Sequence, residues 1–126
     1  MKVGTSLKKG KQNIEMILLS ILMDGDYYGY QLTQLINRYS NKLIEIPESS
    51  LYPALYRLLE KGYVSDKKVK VKVRQQRIYY HIEPAGYEYY QTLLDEYNRL
   101  NNGIHNILNR TEIVESDNLG ELKGDL

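Results

Sequence analysis

Apolar positions recur at helical spacing in three successive segments of this chain, then alternate, then return to helical spacing. Over residues 11–23 they fall at Ile14, Ile17, Leu18, Ile21 and Leu22, one face of a helix. Asp24-Gly25-Asp26 then supplies turn chemistry. The period resumes over residues 28–39 through Leu32, Leu35, Ile36 and Tyr39, and Ser40-Asn41 ends it. Leu43, Ile44 and Ile46 predict a short extended piece, with Ile46 kept extended by Pro47 after it. A third helix is expected to start between Pro47 and Ser50 and to reach Lys61. Ser49 or Ser50 can cap it, and with Ser50 as the cap Pro53 falls in the first turn, where a missing N–H costs least. Leu51, Leu55, Leu58 and Leu59 share the inner face. Ser49, Pro53, Tyr56 and Arg57 lie opposite, with Tyr52 at the flank. Gly62 suits the C-terminal cap.

Residues 63–73 alternate, with Val69, Val71 and Val73 on one side and Lys68, Lys70 and Lys72 on the other. Arg74-Gln75-Gln76 is the expected tip of a hairpin. The return strand places Ile78, Tyr80 and Ile82 on one face and Tyr79 and His81 on the other. Pro84 suits the first turn of a last helix over residues 84–110, about 40 Å long. Its apolar stripe runs through Tyr87, Tyr90, Leu93, Leu94, Tyr97, Leu100, Ile104, Ile107 and Leu108. One small domain cannot cover such a helix along its whole length, so a partner chain is implied. Homodimerisation through Tyr90, Leu93, Leu94, Tyr97, Leu100, Ile104, Ile107 and Leu108 is the economical answer, and a two-fold dimer suits palindromic DNA.

The length of 126 residues allows one domain with one modest core. No apolar run reaches 18 residues, which argues against a membrane span, and residues 14–23 read as a core helix rather than a signal peptide. The absence of cysteine excludes disulfides and thiolate metal sites and makes a cytoplasmic location the expectation. The net charge of +1 conceals an asymmetry. Residues 1–110 hold 16 Lys and Arg against 11 Asp and Glu, whereas residues 111–126 hold five acids and one lysine. The expected organisation is therefore a flexible basic N-terminus (1–10), a compact unit (11–83), a dimerisation helix (84–110) and an acidic, disordered tail (111–126). Six cations lie between residues 67 and 77 without one acid. Lysines on a hairpin can serve to block edge-to-edge pairing, but that role does not need so many uncompensated charges. A basic ribbon beside a helix with a polar outer face meets the physical requirements for holding DNA.

Catalytic and metal chemistry is sparse. His81 and His105 lie in different elements without a second ligand at metal spacing, and Asp24 with Asp26 is ordinary turn chemistry. No GxSxG, P-loop or GxGxxG occurs. No enzyme, metal or cofactor is expected.

Several short segments, in this order and spacing, carry a resemblance. They are Ile17-Leu18-Leu19-Ser20-Ile21-Leu22, Tyr28-Gly29-Tyr30-Gln31-Leu32, Ser49-Ser50-Leu51-Tyr52-Pro53-Ala54-Leu55-Tyr56-Arg57-Leu58, Lys61-Gly62-Tyr63-Val64 and Arg77-Ile78-Tyr79-Tyr80-His81-Ile82, followed by Gly86. Over residues 12–108 the chain resembles PadR-like transcriptional regulators of the short subfamily with a single C-terminal dimerisation helix. The resemblance implies a mainly α fold with a small β-hairpin, a winged helix-turn-helix followed by a long helix. It implies that Ser49, Ser50, Tyr52 and Tyr56 face DNA, with Tyr52 and Tyr30 on the phosphate side. Lys70, Lys72, Arg74, Gln75 and Arg77 of the wing would meet backbone or minor groove. It also implies a repressor, and in some members a flat aromatic effector in a pore at the dimer centre. There Tyr97 takes the place of a stacking tryptophan, with Asn101 one turn on and Glu15 and Met16 opposite. Glu15 could favour a cationic compound, but the plainer expectation is that Tyr97 is dimer core. The chain departs from the family pattern at Tyr28, where histidine is usual, at Glu83, where threonine is usual, and at Arg74-Gln75, where the wing tip is usually glycine-rich. The competing expectation is a winged-helix module that binds protein rather than DNA. A small-molecule carrier or enzyme would need convergent polar groups, for which only Glu15 and Asn101 are candidates.

Overall fold

The computed structural model describes residues 10–111. Apart from Gly10, which begins the first helix, and Thr111, the expectations for a flexible N-terminus and an acidic tail concern residues outside that range. Helices α1 (Gly10–Leu22), α2 (Gly29–Tyr39) and α3 (Glu48–Glu60) are followed by the strands of a hairpin and by the long helix α4 (Pro84–Leu108). A two-residue strand β1 (Tyr27–Tyr28) precedes α2, and the hairpin is formed by β2 (Val64–Lys72) and β3 (Gln75–Ile82). The three antiparallel strands lie in the order β1-β3-β2. This is the expected mainly α fold with a small hairpin.

Leucine dominates the core. Leu18, Leu19 and Leu22 of α1, Leu32 and Ile36 of α2, and Leu51, Leu55 and Leu58 of α3 meet there with Val64, Tyr80 and Ile82 of the sheet. These are the positions that helical and strand spacing assign to the inner faces. Two caps of one geometry set the turns flanking the helices. After α2, Asn41 takes φ 57° and Lys42 φ 68°, while Lys42 N–H donates to the Asn37 carbonyl at 2.7 Å. After α3, Gly62 takes φ 76° and Tyr63 N–H donates to the Leu58 carbonyl at 2.9 Å. Both are Schellman closures, with Asn and Gly in the left-handed position that these residues tolerate best.

Several local expectations change. The cap of α3 is Pro47, not Ser49 or Ser50, and its carbonyl accepts from both Ser50 and Leu51 N–H at 2.9 Å. Pro53 therefore lies inside the helix rather than in its first turn. The Ser49 carbonyl, four residues before it, loses a helical donor but lies on the exposed side, where water can replace it. The hairpin turns at Val73 and Arg74, with Gln75 already paired to Lys72. A register shift between Lys70 and Lys72 leaves Val71 as an extra residue, and Val73, in the turn itself, is exposed. Lys68 faces the same way as its partner Ile78, and Val69 the same way as Arg77. The wing extends past the core, so neither of its faces is dry. Residues 43–46 form no strand.

Helix α4 meets α1, and its residues are exposed from Asn102 onward. Leu93, expected on the dimer stripe, is instead buried in the core of the chain itself. Ile107 and Leu108, at the far end, are 62% and 68% exposed.

Candidate nucleic-acid interface

The outer side of α3 presents Ser49, Tyr52, Pro53 and Tyr56 to solvent, with Ser50 half-buried. The side exists because the inner residues are leucines at helical spacing, which turns the remaining positions outward. Arg57 departs from the expected outer face: its Nε donates to the Glu15 carboxylate at 2.8 Å. Tyr52 leans across to α2. Its hydroxyl lies over Gly29, the first residue of α2, so closely that any side chain there would collide with it. Tyr30 follows on α2, exposed, its hydroxyl accepting from Gln34 Nε2 at 3.0 Å. The tyrosine pair thus flanks the N-terminus of α2, where backbone N–H groups and the helix dipole favour an anion.

The wing carries Lys70, Lys72, Arg74 and Gln75 in exposed positions. Lys70 faces Gln76 and Lys72 faces Gln75 across the hairpin, so their cross-strand neighbours are neutral. Arg77 is different. Its guanidinium lies 4.3 Å over the ring of Tyr28, and Tyr28 meets Tyr79 edge-on at 5.3 Å. This cation–π contact ties the base of the wing to the residue that opens α2.

Two interactions were not legible beforehand. His81 Nδ1 lies 2.8 Å from Asp26 Oδ1, joining β3 to the turn before β1. The hydrogen bond to Asp26 raises the imidazole above its ordinary 6.5, burial opposes this slightly, and the charges of Asp26 and Glu83 add to it. Because the folded value is raised, the contact stabilises fully below about pH 6.5 and its contribution fades as pH rises through the folded value. Both partners are more than half exposed, so the effect on stability is small. An NMR titration should find the His81 midpoint above 6.5 and lower it in Asp26→Asn; an unchanged midpoint would contradict the pairing.

The second is the environment of Glu15. Its carboxylate is buried, accepting from Arg57 Nε on one oxygen and from the Tyr89 hydroxyl at 2.6 Å on the other. Burial, and then the bond to Glu15, push the Tyr89 phenol well above its ordinary range. A carboxylate on the buried side of α1 signals that some partner must exist, but not which one.

A cleft of about 490 Å³ opens between α1, α2 and α4, lined among others by Met16, Ile17, Tyr39, Tyr90, Leu94 and Tyr97. Of the four residues expected around an effector, Met16 and Tyr97 line it. Asn101 lies one turn further along α4, outside the lining, and Glu15 is turned away into its ion pair. Glu15 is thus not available to attract a cationic compound.

Three helices, a hairpin wing and a tyrosine-flanked outer helix define a winged helix-turn-helix protein. Residues 18–92 match the model of the transcriptional regulator PadR-like family, and the chain belongs to that family. Its members regulate transcription and are not enzymes. A transcriptional regulator from Clostridium thermocellum is similar, with 31% identity and a TM-score of 0.70 over 79% of this chain and 96% of that one. A protein from Streptococcus mutans is 29% identical, with a TM-score of 0.67 over 87% of this chain and 95% of that one. An uncharacterised protein of Lysinibacillus sphaericus is 29% identical over 85 residues, which are 68% of this chain and 78% of that one. Among the described residues no helix is long and apolar enough to cross a membrane.

Proposed function

We propose that this protein is a dimeric repressor that binds a palindromic operator. The observation carrying the reading is the exposed side of α3 next to a hairpin whose six cations between residues 67 and 77 have no acid among them. Ser49, Ser50 and Tyr56 would meet base edges, while Tyr30, Tyr52, Lys70, Lys72, Arg74, Gln75 and Arg77 would meet the backbone. Two recognition helices would enter successive major grooves, about 34–36 Å apart.

The dimer would form on α4, where Tyr90, Leu94, Tyr97, Leu100, Ile104 and Leu108 continue the wall of the cleft along one stripe, with Ile107 beside it. Apolar side chains left exposed at 38% (Ile104), 62% (Ile107) and 68% (Leu108) support a covering partner. Placing Glu at both Leu94 and Ile104 should convert a dimer into a folded monomer in sedimentation equilibrium; retention of the dimer would exclude this stripe. A flat, neutral aromatic compound fits the apolar cleft beside Met16 and Tyr97, and its binding would alter the spacing of the two recognition helices.

The deciding experiment is fluorescence anisotropy against promoter DNA from the protein's own upstream region, with random DNA as control, across salt concentrations. About four phosphates neutralised per half-site should give a log–log salt slope near −7. A slope shallower than about −3 would overturn the basic-wing reading. Weak, unselective binding by a folded dimer would favour a protein-interaction module instead.

A further inference from the structure

We propose that Glu15 is a positioning residue for DNA recognition. Its buried carboxylate sets the rotation of α3 through Arg57 and joins α3 to α4 through Tyr89. The inference rests on the reading of α3 as the recognition helix.

Leu51, Leu55 and Leu58 bury the inner face of α3, but hydrophobic attraction carries no direction of its own. A hydrogen bond of 2.8 Å to a charged acceptor does. Arg57 directly follows Tyr56, and successive helical residues are about 100° apart. Holding Arg57 toward α1 therefore fixes the direction in which Tyr56 and, one turn earlier, Tyr52 project. The other carboxylate oxygen takes the Tyr89 hydroxyl, and the Tyr89 ring stacks on Tyr63 at 4.2 Å, just beyond the cap of α3. One carboxylate is thus a single hydrogen bond from α3 and another from α4.

The neighbours in sequence complete the argument. Met16, next to Glu15, and Tyr90, next to Tyr89, both line the cleft between α1, α2 and α4. A change in packing at that cleft acts on residues adjacent to both arms of the network. The ion pair then carries it to the exposed side of α3.

Glu15→Gln tests this with little change in shape: the amide can still bond Tyr89, but Arg57 loses its anion. Tyr89→Phe removes one arm and keeps the ring on Tyr63. Anisotropy with operator and random DNA at several salt concentrations should show operator affinity falling about tenfold in Glu15→Gln. Random-DNA affinity should fall less than operator affinity, and the salt slope should stay as in the wild type, because every cation assigned to the backbone remains. In ¹⁵N spectra of the free proteins, the amides of residues 49–52 and 54–56 should shift in both variants. An operator-to-random ratio equal to the wild type's, or amide shifts confined to the immediate neighbours of residue 15, would overturn the proposal even if the melting temperature falls. Should Glu15→Gln not fold, Tyr89→Phe carries the same two readouts. A wild-type protein that does not select its operator shows a different pattern: it refutes the DNA reading itself, and the inference with it.

Discussion

Replacing Lys70, Lys72 and Arg74 together by Ala should flatten the salt dependence of DNA binding from a slope near −7 to about −2. Each dimer would lose six cations, and each phosphate contact is worth roughly 0.9 in the slope. The loss should be similar on operator and random DNA, because backbone contacts carry no sequence information. At low salt the variant should bind weakly, and the difference from wild type should shrink as salt rises. Folding should be untouched. All three side chains are exposed, lie at or near a hairpin tip and face neutral neighbours or solvent. Removing their mutual repulsion costs the fold nothing. The check is the slope itself, measured beside a thermal melt. A selective loss on the operator alone would place these residues against bases and contradict their assignment.

Gly86→Ala should destabilise the fold by about 2–3 kcal/mol, enough to lower the melting temperature by on the order of 10 °C. Gly86 is buried in the first turn of α4. An added methyl would run into the carbonyl oxygen of Tyr63 and come within 2.9 Å of Ile82 Cγ1. That carbonyl cannot swing aside freely, because it accepts the Glu83 N–H at 2.9 Å and so ties the start of β2 to the start of α4. Relief must come from moving α4 away from the sheet, which also pulls Tyr89 from Glu15. The variant should therefore lose stability and operator selectivity together. A melting temperature within about 2 °C of wild type would show that α4 can tilt without cost. The contrast with Gly29 is useful. There the obstructing atom is the end of the half-exposed Tyr52 side chain, which can rotate away, so substitution disturbs the exposed side of α3 more than the fold.

Much of this architecture was legible before any coordinates. Leucines at helical spacing identify the inner faces of α1, α2 and α3, and all of Leu18, Leu22, Leu32, Leu51, Leu55 and Leu58 are buried. Gly62 as the end of α3 follows from a property of that one residue, its ease at positive φ. The acid-free run of cations and the surplus apolar length of α4 are likewise visible in the residues alone. All of these depend on spacing along the chain or on a single side chain.

What escaped depended on distant partners. Strand β1 exists only because Tyr27 and Tyr28 meet Tyr80 and Tyr79, more than fifty residues later, and two residues carry no period of their own. The extra residue at Val71 and the turn at Val73 and Arg74 come from the register of pairing, which simple alternation does not reveal. Pro53 could lie inside α3 because the carbonyl it deprives faces water.

The candidate site divides along the same line. Sequence by itself determined which residues are polar, aromatic or basic on the side of α3 and on the wing, because helix and strand geometry convert spacing into direction. Only the tertiary structure decided that Arg57 turns inward to Glu15, that Arg77 rests on Tyr28 and that Leu93 belongs to the core. A charge or an apolar group shows that it needs a partner. Which partner it finds is settled by packing, where groups far apart in the chain compete for the same few ångströms.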